Sequence, residues 1–359
     1  MNNIKKYNLF ILISTFSRSI IEIFSILILY KLGFSLKNIL IFYIAYNIGC
    51  LITSIISLYL SNKISPKYIL IFSSIIYAYA FYYLSNITPN FFLLITFAIL
   101  LSIGNYTYHP IRHLYALNLL DNNKNKNIAN ILIYNYLAII LATYLGSNLI
   151  DKMNNNIVII ILIITSLISI IPLFFIKDNN PKEKITLKIK LNLRKTLFFI
   201  LEQFKVIFLL LQPLYLYIYI DTSIKYVGIF NIILGISAII TIYLFAKSNT
   251  HKFYLINTIF CLILILKINI NNKNLLLILA LLEGIGIKIF EVVSTKNIYN
   301  IKKENITGYL IIVEIIFCLT QVFIFLLFYF INNLKIMLYI CIFAIFLCGI
   351  LNPKIDNKN

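Results

Sequence analysis

The stretch LFILISTFSRSIIEIFSILILY, residues 9–30, decides the fold. It is long enough to cross a bilayer, because about 20 mostly apolar residues span about 30 Å of hydrocarbon. Yet Arg18 and Glu22 stand in its middle, one helical turn apart, with Ser14 and Ser25 on the same face. A charge at the centre of a membrane span costs about 2.5–3.5 kcal/mol even on the lenient scale, so these side chains face protein or water. The segment reads as one helix of a membrane bundle with a polar face.

The rest of the chain extends this reading. Its 359 residues are 61% hydrophobic and 12% charged, with a mean hydropathy of +0.93. No soluble core of this size would hide so much apolar surface. About twelve apolar runs follow one another, at 9–31, 38–60, 68–87, 91–113, 128–150, 156–176, 196–220, 225–246, 253–270, 274–295, 308–331 and 334–351. With no water to satisfy backbone groups in lipid, runs of that length become helices. Lys5 and Lys6 before the first run suggest a signal peptide, but the run is too long, carries two charges and lacks a small-residue cleavage site. The expected fold class is therefore an all-α integral membrane protein with about twelve transmembrane helices. Cys50, Cys261, Cys318, Cys341 and Cys348 all fall inside predicted helices without paired spacing, which suits packing rather than disulfides or metal.

The formal charge of +19 is distributed by topology. Placing the N-terminus inside puts most lysines, including Lys63, Lys67, Lys124, Lys126 and the cluster from Lys177 to Lys195, on one side. Lys31, Lys37, Lys152, Lys225, Lys267, Lys273 and Lys335 fall on the other. Positive charge accumulates in cytoplasmic loops, so both termini are expected in the cytoplasm of a multi-pass plasma-membrane protein. The excess attracts anionic membrane lipids and calls for no nucleic acid.

The longest polar break, KDNNPKEKITLKIKLNLRK at 177–195, lies near the midpoint. It divides the chain into an N-terminal six-helix bundle (1–176), a cytoplasmic linker (177–195) and a C-terminal six-helix bundle (196–359). The halves echo each other: SLKNILIFYIAYNIGCLITSIISLYLSNK at 35–63 resembles SIKYVGIFNIILGISAIITIYLFAK at 223–247. Pseudo-repeats of this kind build many secondary transporters around a central site.

Ionisable residues recur on every third span. Span 1 has Arg18 and Glu22, span 4 His109 and Arg112, span 7 Glu202 and Lys205, and span 10 Glu283, Lys288 and Glu291; span 11 adds Glu314. No charge is expected inside the other spans. Polar residues share faces with these charges, Ser102 and Asn105 on span 4, Gln212 on span 7, and Cys318 and Gln321 on span 11. The recurrence predicts that spans 1, 4, 7 and 10 surround one cavity, with interhelical salt bridges and snorkelling as the structural alternative. Glu22 beside Arg18 and Glu283 near Lys288 are the expected proton-exchanging carboxylates. Arg18 stands out because the chain has three arginines against twenty-eight lysines, and guanidinium grips a carboxylate or phosphate with a planar fork. Pro110 and Pro213 are expected to bend spans 4 and 7. His109 and His113 at i, i+4 lack a third metal ligand.

In layout the chain resembles the major facilitator superfamily. That family's loop between helices 2 and 3 reads G-x-x-x-D-R-x-G-R-R, and LYLSNKISPK at 58–67 falls there, with Leu58 at the glycine, Asn62 at the acid, Lys63 at the arginine, Ser65 at the second glycine and Lys67 at the final basic position. The gating loop keeps its cations at Lys63 and Lys67, while Asn62 replaces the acid. The antiporter motif of helix 5 survives as small residues at Ala138, Ala142, Thr143, Gly146 and Ser147, and Ala98 occupies the helix 4 arginine position of drug antiporters. The resemblance implies a monomeric secondary transporter without cofactor, moving a small polar organic solute by alternating access, with proton coupling an option. An integral membrane transferase acting on lipid-linked substrates through HPIRH (109–113), and a lipid or polyisoprenoid flippase, are the competing readings.

Overall fold

The computed structural model describes residues 3–119, 124–151, 155–176, 192–245, 253–299 and 306–351. Residues 177–191 of the expected linker, and Lys124 and Lys126 as side chains, lie outside the described set. Among the described residues there are fourteen helices: α1 (Asn3–Glu22), α2 (Ser25–Lys31), α3 (Leu36–Leu60), α4 (Pro66–Leu84), α5 (Phe91–Tyr106), α6 (His109–Leu119), α7 (Lys124–Asp151), α8 (Asn155–Phe174), α9 (Leu193–Tyr219), α10 (Ile224–Phe245), α11 (Phe253–Asn269), α12 (Lys273–Tyr299), α13 (Ile306–Ile331) and α14 (Leu334–Leu351). α1 with α2, and α5 with α6, each make one interrupted pass, so the helices form the twelve expected passes. Ten are long and apolar enough to span a membrane by length and composition, and α11 is a shorter apolar helix. α12 carries Glu283, Lys288 and Glu291 in its interior.

The two interruptions have different causes. Between α5 and α6, Pro110 has no N–H to give the Tyr106 carbonyl one turn back, and its ring crowds that carbonyl. The helix breaks at Thr107–Tyr108, and the Tyr106 carbonyl accepts the Ser57 hydroxyl instead, at 3.2 Å. The break at Ile23–Phe24 has no proline or glycine nearby. There α7 presses on α1 through Gly146, where a Cβ would collide with the Ile20 carbonyl and crowd the Phe24 ring. Ser25 Oγ then donates to the Glu22 carbonyl at 2.8 Å. Pro213, expected to bend its span, sits inside an uninterrupted α9. Residues 193–195, expected in the linker, begin α9, because Asn192 Oδ1 accepts the Arg194 amide at 3.1 Å and caps the helix.

Within the first half, α1 packs on α7 and α8, α4 on α5 and α8, and α3 on α5; within the second, α9 packs on α13 and α14, α10 on α12, and α11 on α12 and α14. The halves meet along two extensive seams, α3 against α13 and α7 against α10, with a smaller contact of α2 on α9. On the outer surface, α3, α4 and α5 leave a lateral groove of about 800 Å³. Exposed Ile, Leu, Phe and Tyr side chains populate the outer faces of most helices, as a lipid-facing surface requires.

Candidate functional site

The charged residues do not form one ring. They fall into three sets, two of which the sequence pairs differently from the structure.

In the first half, Arg18 is a hub. One guanidinium nitrogen donates to Asn105 Oδ1 at 2.6 Å and the Gly104 carbonyl at 3.3 Å, and the other donates to Ser73 Oγ at 2.7 Å. The Tyr77 and Tyr108 rings lie 4.2 and 3.9 Å from the guanidinium carbon. Such contacts suit a planar, weakly hydrated cation. They form because α4 and α5 approach closely at Gly104, where a Cβ would meet the Tyr77 backbone at 2.9 Å.

Glu22 lies beside Arg18 in sequence but makes no direct ion pair with it. Asn105 stands between them, accepting from Arg18 and donating Nδ2–H to Glu22 Oε1 at 2.8 Å. Tyr77 donates to Glu22 Oε2 at 3.3 Å. Arg18 is buried, but Glu22 is half-buried beside the helix break. His109 packs beside the Tyr106 and Tyr108 rings, at 6.0 and 5.3 Å between ring centroids, and the Arg112 guanidinium carbon lies 5.4 Å from the Tyr108 ring. Both are half-buried.

The second set joins the halves. Lys288 Nζ contacts Glu291 Oε2 at 2.9 Å, and Tyr136 of α7 donates to that carboxylate at 2.6 Å while its ring lies 4.1 Å from Lys288 Nζ. Lys205 Nζ is 3.8 Å from Glu202 and 4.5 Å from the Phe290 ring.

The third set is sealed inside the second half. Glu283 does not meet Lys288, because five helical residues turn them about 140° apart. It pairs with Lys267 of α11, whose Nζ lies 2.7 and 2.8 Å from the two carboxylate oxygens. The side chains are 0% and 1% exposed, and the Phe208 and Phe230 rings flank the ammonium at 4.6 and 5.5 Å. This corrects two expectations: Lys267 is not an outer loop charge, and span 9 does contain an interior charge. Gln212 lies near Glu283, although its amide makes no hydrogen bond of good geometry. Gln321 donates to Gln203 at 2.7 Å. Glu314, 8% exposed, makes no hydrogen bond or ion pair among the described residues and faces the α3 seam near Cys50.

In the gating loop, Lys63 is exposed with its ammonium 5.3 Å from the Tyr59 ring, Lys67 is half-buried at 5.4 Å from the Tyr68 ring, and Asn62 is half-buried. Among the described residues no three His, Cys, Asp or Glu side chains gather as a metal site would require. The five cysteines are free and buried. Sequence reasoning missed Ser73, Tyr77, Tyr108, Tyr136 and Lys267. Ser73 and Tyr77 share a face at i, i+4, a signal readable only by weighting neutral hydroxyls as heavily as charges.

The sequence model of the Major Facilitator Superfamily matches residues 8–353. Among solved structures, a mutant of the nucleoside transporter NupG superposes with a TM-score of 0.71 at 13% identity, covering 97% of this chain and 98% of that one. A bacterial homologue of the iron transporter ferroportin, in an outward-facing state with soaked iron, gives 0.69 at 11% identity, with 98% of each chain covered. The E. coli fucose:proton symporter FucP gives 0.68 at 12%, again covering 98% of each. At these identities the likeness speaks for the fold. Among curated proteins none matches.

Proposed function

The chain belongs to the major facilitator superfamily, and from that premise we propose that it moves a small polar organic solute across the plasma membrane by alternating access, coupled to protons through Glu22. Membership makes it a multi-pass membrane transporter rather than a transferase. In this reading it works as a monomer with both termini cytoplasmic.

The observation that carries the reading is Glu22. It is the acidic group of the first half that lies mid-span, stays partly accessible, and receives hydrogen bonds from neutral donors instead of a contact ion pair. A carboxyl held by an amide and a phenol has partners in both protonation states, as a group that gains and loses a proton needs. Arg18 then acts as a positioning residue, fixing Asn105 and, through it, Glu22. Cargo contacts fall to the half-buried His109, Arg112 and Glu291, whose mixed charge suits a polar solute.

Two cross-bundle contacts supply the gates. Successive spans run in opposite directions, which puts Tyr30, Lys31 and Tyr217 at one end of the molecule and Tyr136 and Glu291 towards the other. At the first end the Tyr30 and Tyr217 rings meet at 6.3 Å with Lys31 Nζ 5.7 Å from the latter; at the second Tyr136 holds Glu291. Rocking of the bundles breaks one while keeping the other. The named cargoes of the structural neighbours, a nucleoside and fucose, favour an organic solute, and no metal-type cluster supports iron among the described residues. The lateral groove offers a flippase no polar path, because its walls are hydrocarbon.

The test is thermal stabilisation of the purified protein by a panel led by nucleosides and sugars. A ligand at about 100 times its dissociation constant adds about 2.7 kcal/mol. The expected result is stabilisation by one chemical class, and uptake into proteoliposomes that follows a pH gradient in the wild type but not in Glu22→Gln. Gradient-driven uptake that survives Glu22→Gln refutes the coupling role.

A further inference from the structure

Among the acids whose side chains are described, Glu314 is the exception. Glu22 receives hydrogen bonds from Asn105 and Tyr77, while Glu202 lies by Lys205, Asp221 by Lys273, Glu283 by Lys267 and Glu291 by Lys288. Glu314 of α13 makes no hydrogen bond or ion pair among the described residues. The cause is not a shortage of cations, because the chain carries 31 lysines and arginines. A carboxylate left in that state inside a membrane bundle is costly, and such groups are kept where they do something. Glu314 is 8% exposed where Glu283 is 0% exposed, so its surroundings are not sealed.

Those surroundings are aromatic. Tyr106 of α5 and Cys50 of α3 lie near Glu314 across the seam, and Cys318 stands one turn along α13. The Tyr46 ring meets the Tyr106 ring edge-on at 6.0 Å, and both tyrosines are half-buried, which leaves part of each uncovered. Asn105 Nδ2 donates to Tyr46 Oη at 3.0 Å as well as to Glu22 Oε1 at 2.8 Å, so this box shares an amide with the carboxylate that carries the coupling role. The Arg18 guanidinium is committed to Gly104, Asn105 and Ser73. A metal ion would ask for more oxygen ligands than one carboxylate provides. An organic ammonium asks for a carboxylate to accept its N–H and ring faces to meet its charge. We propose that the cargo carries a protonated amine, which binds Glu314 with the Tyr46 and Tyr106 rings beside it. This rests on the reading of the chain as a transporter of a small polar organic solute and names the class of that solute. Glu314 belongs to the second half and both tyrosines to the first, so the bound ammonium ties the halves together at the α3–α13 seam.

The experiment measures thermal stabilisation of the full chain in detergent by matched pairs that differ in the amine: glucosamine against glucose, tyramine against tyrosol, and 5′-amino-5′-deoxyadenosine against adenosine. At least one amine is expected to bind roughly 10-fold more tightly than its uncharged counterpart, as one charge-assisted hydrogen bond in a partly desolvated site provides. Glu314→Gln should bring that amine down to the level of its counterpart, and Glu314→Asp should restore part of the difference. With no protein partner to lose, the unliganded Glu314→Gln protein should unfold at or above the wild-type temperature; a lower temperature would make Glu314 structural and overturn the proposal. Equal binding of the amine and uncharged members, which a permanently protonated Glu314 would give, overturns the amine and leaves the solute-transport reading standing. Amine selectivity that survives Glu314→Gln does the same. No stabilisation by any member of the pairs, nor by the wider panel of nucleosides and sugars, overturns both.

Discussion

Arg18 and Glu22 in the first half and Lys267 and Glu283 in the second each place a basic side chain and a glutamate within apolar helices, and the protein treats them in opposite ways. In the second half the charges touch, sealed at 1% and 0% exposure between phenylalanine rings. In the first they are held apart by Asn105, and the carboxylate keeps a partly accessible face next to a broken helix. A charge inside a membrane span is therefore not in itself a pointer to a working site. The informative quantity is how far its partners saturate it. Lys267–Glu283 reads as a cross-link of α11 to α12, and Glu22 as a group left room to change state.

The sharpest way to break this contrast is Glu283→Ala. Leaving Lys267 buried without its counter-charge should destabilise the protein by about 3–5 kcal/mol, whereas the Lys267→Met, Glu283→Leu double variant should recover most of the loss. Unfolding followed by tryptophan-free methods such as circular dichroism checks both, since the chain has no Trp; a stable Glu283→Ala protein would put that pair on a par with Glu22. Next comes Arg18→Lys, which cannot reach Gly104, Asn105 and Ser73 together and should cost about 2–3 kcal/mol. Glu22→Gln, by contrast, should unfold close to the wild-type temperature.

A smaller effect is expected for Tyr136→Phe, which removes one hydrogen bond across the seam, about 1 kcal/mol. Its measure is conformational: a cysteine introduced as Ser294→Cys should be alkylated by a soluble maleimide roughly 5-fold faster in the Tyr136→Phe background, and an unchanged rate would remove Tyr136 from the gate. The smallest effect concerns Asp221, in the turn after α9. The hydrogen bond from Lys273, at 2.6 Å, holds its carboxyl below the usual carboxylate range. The folded value lying below the unfolded one, this contribution is complete above about pH 4 and fades as pH falls through the folded value. The pair is partly exposed, so Asp221→Asn should cost less than about 1 kcal/mol at neutral pH and nothing in strong acid.

The passes were legible because hydropathy is additive along a run, and the boundaries expected from sequence differ from the helices by a few residues. The break before α6 was legible through Pro110. The break after Glu22 was not, because its cause is Gly146 on another helix pressing against the Ile20 carbonyl. Lys267 escaped notice because it stands in the last turn of α11, where a lysine ordinarily snorkels to the interface. Glu283 was matched with Lys288 on proximity in sequence, yet five residues along a helix point to different faces. The hub around Arg18 was half visible: Asn105 lay on the expected stripe, but Ser73 and Tyr77 come from a helix whose charge, Lys67, stands in its first turn, with no acidic or basic residue near them to announce them.

The sealed pair also bears on biogenesis. Residues 270–272 alone join α11 to α12, so Lys267 leaves the ribosome a short hairpin ahead of the carboxylate that neutralises it. A nascent chain ending at α11 would offer the translocon a short helix with an uncompensated ammonium, at about 2.5–3.5 kcal/mol against partitioning if it lay mid-membrane. With only three residues between them, α11 and α12 have the geometry to enter lipid as a single hairpin with their charges joined. The short connection and the ion pair thus make one unit of two helices that are marginal as solitary spans.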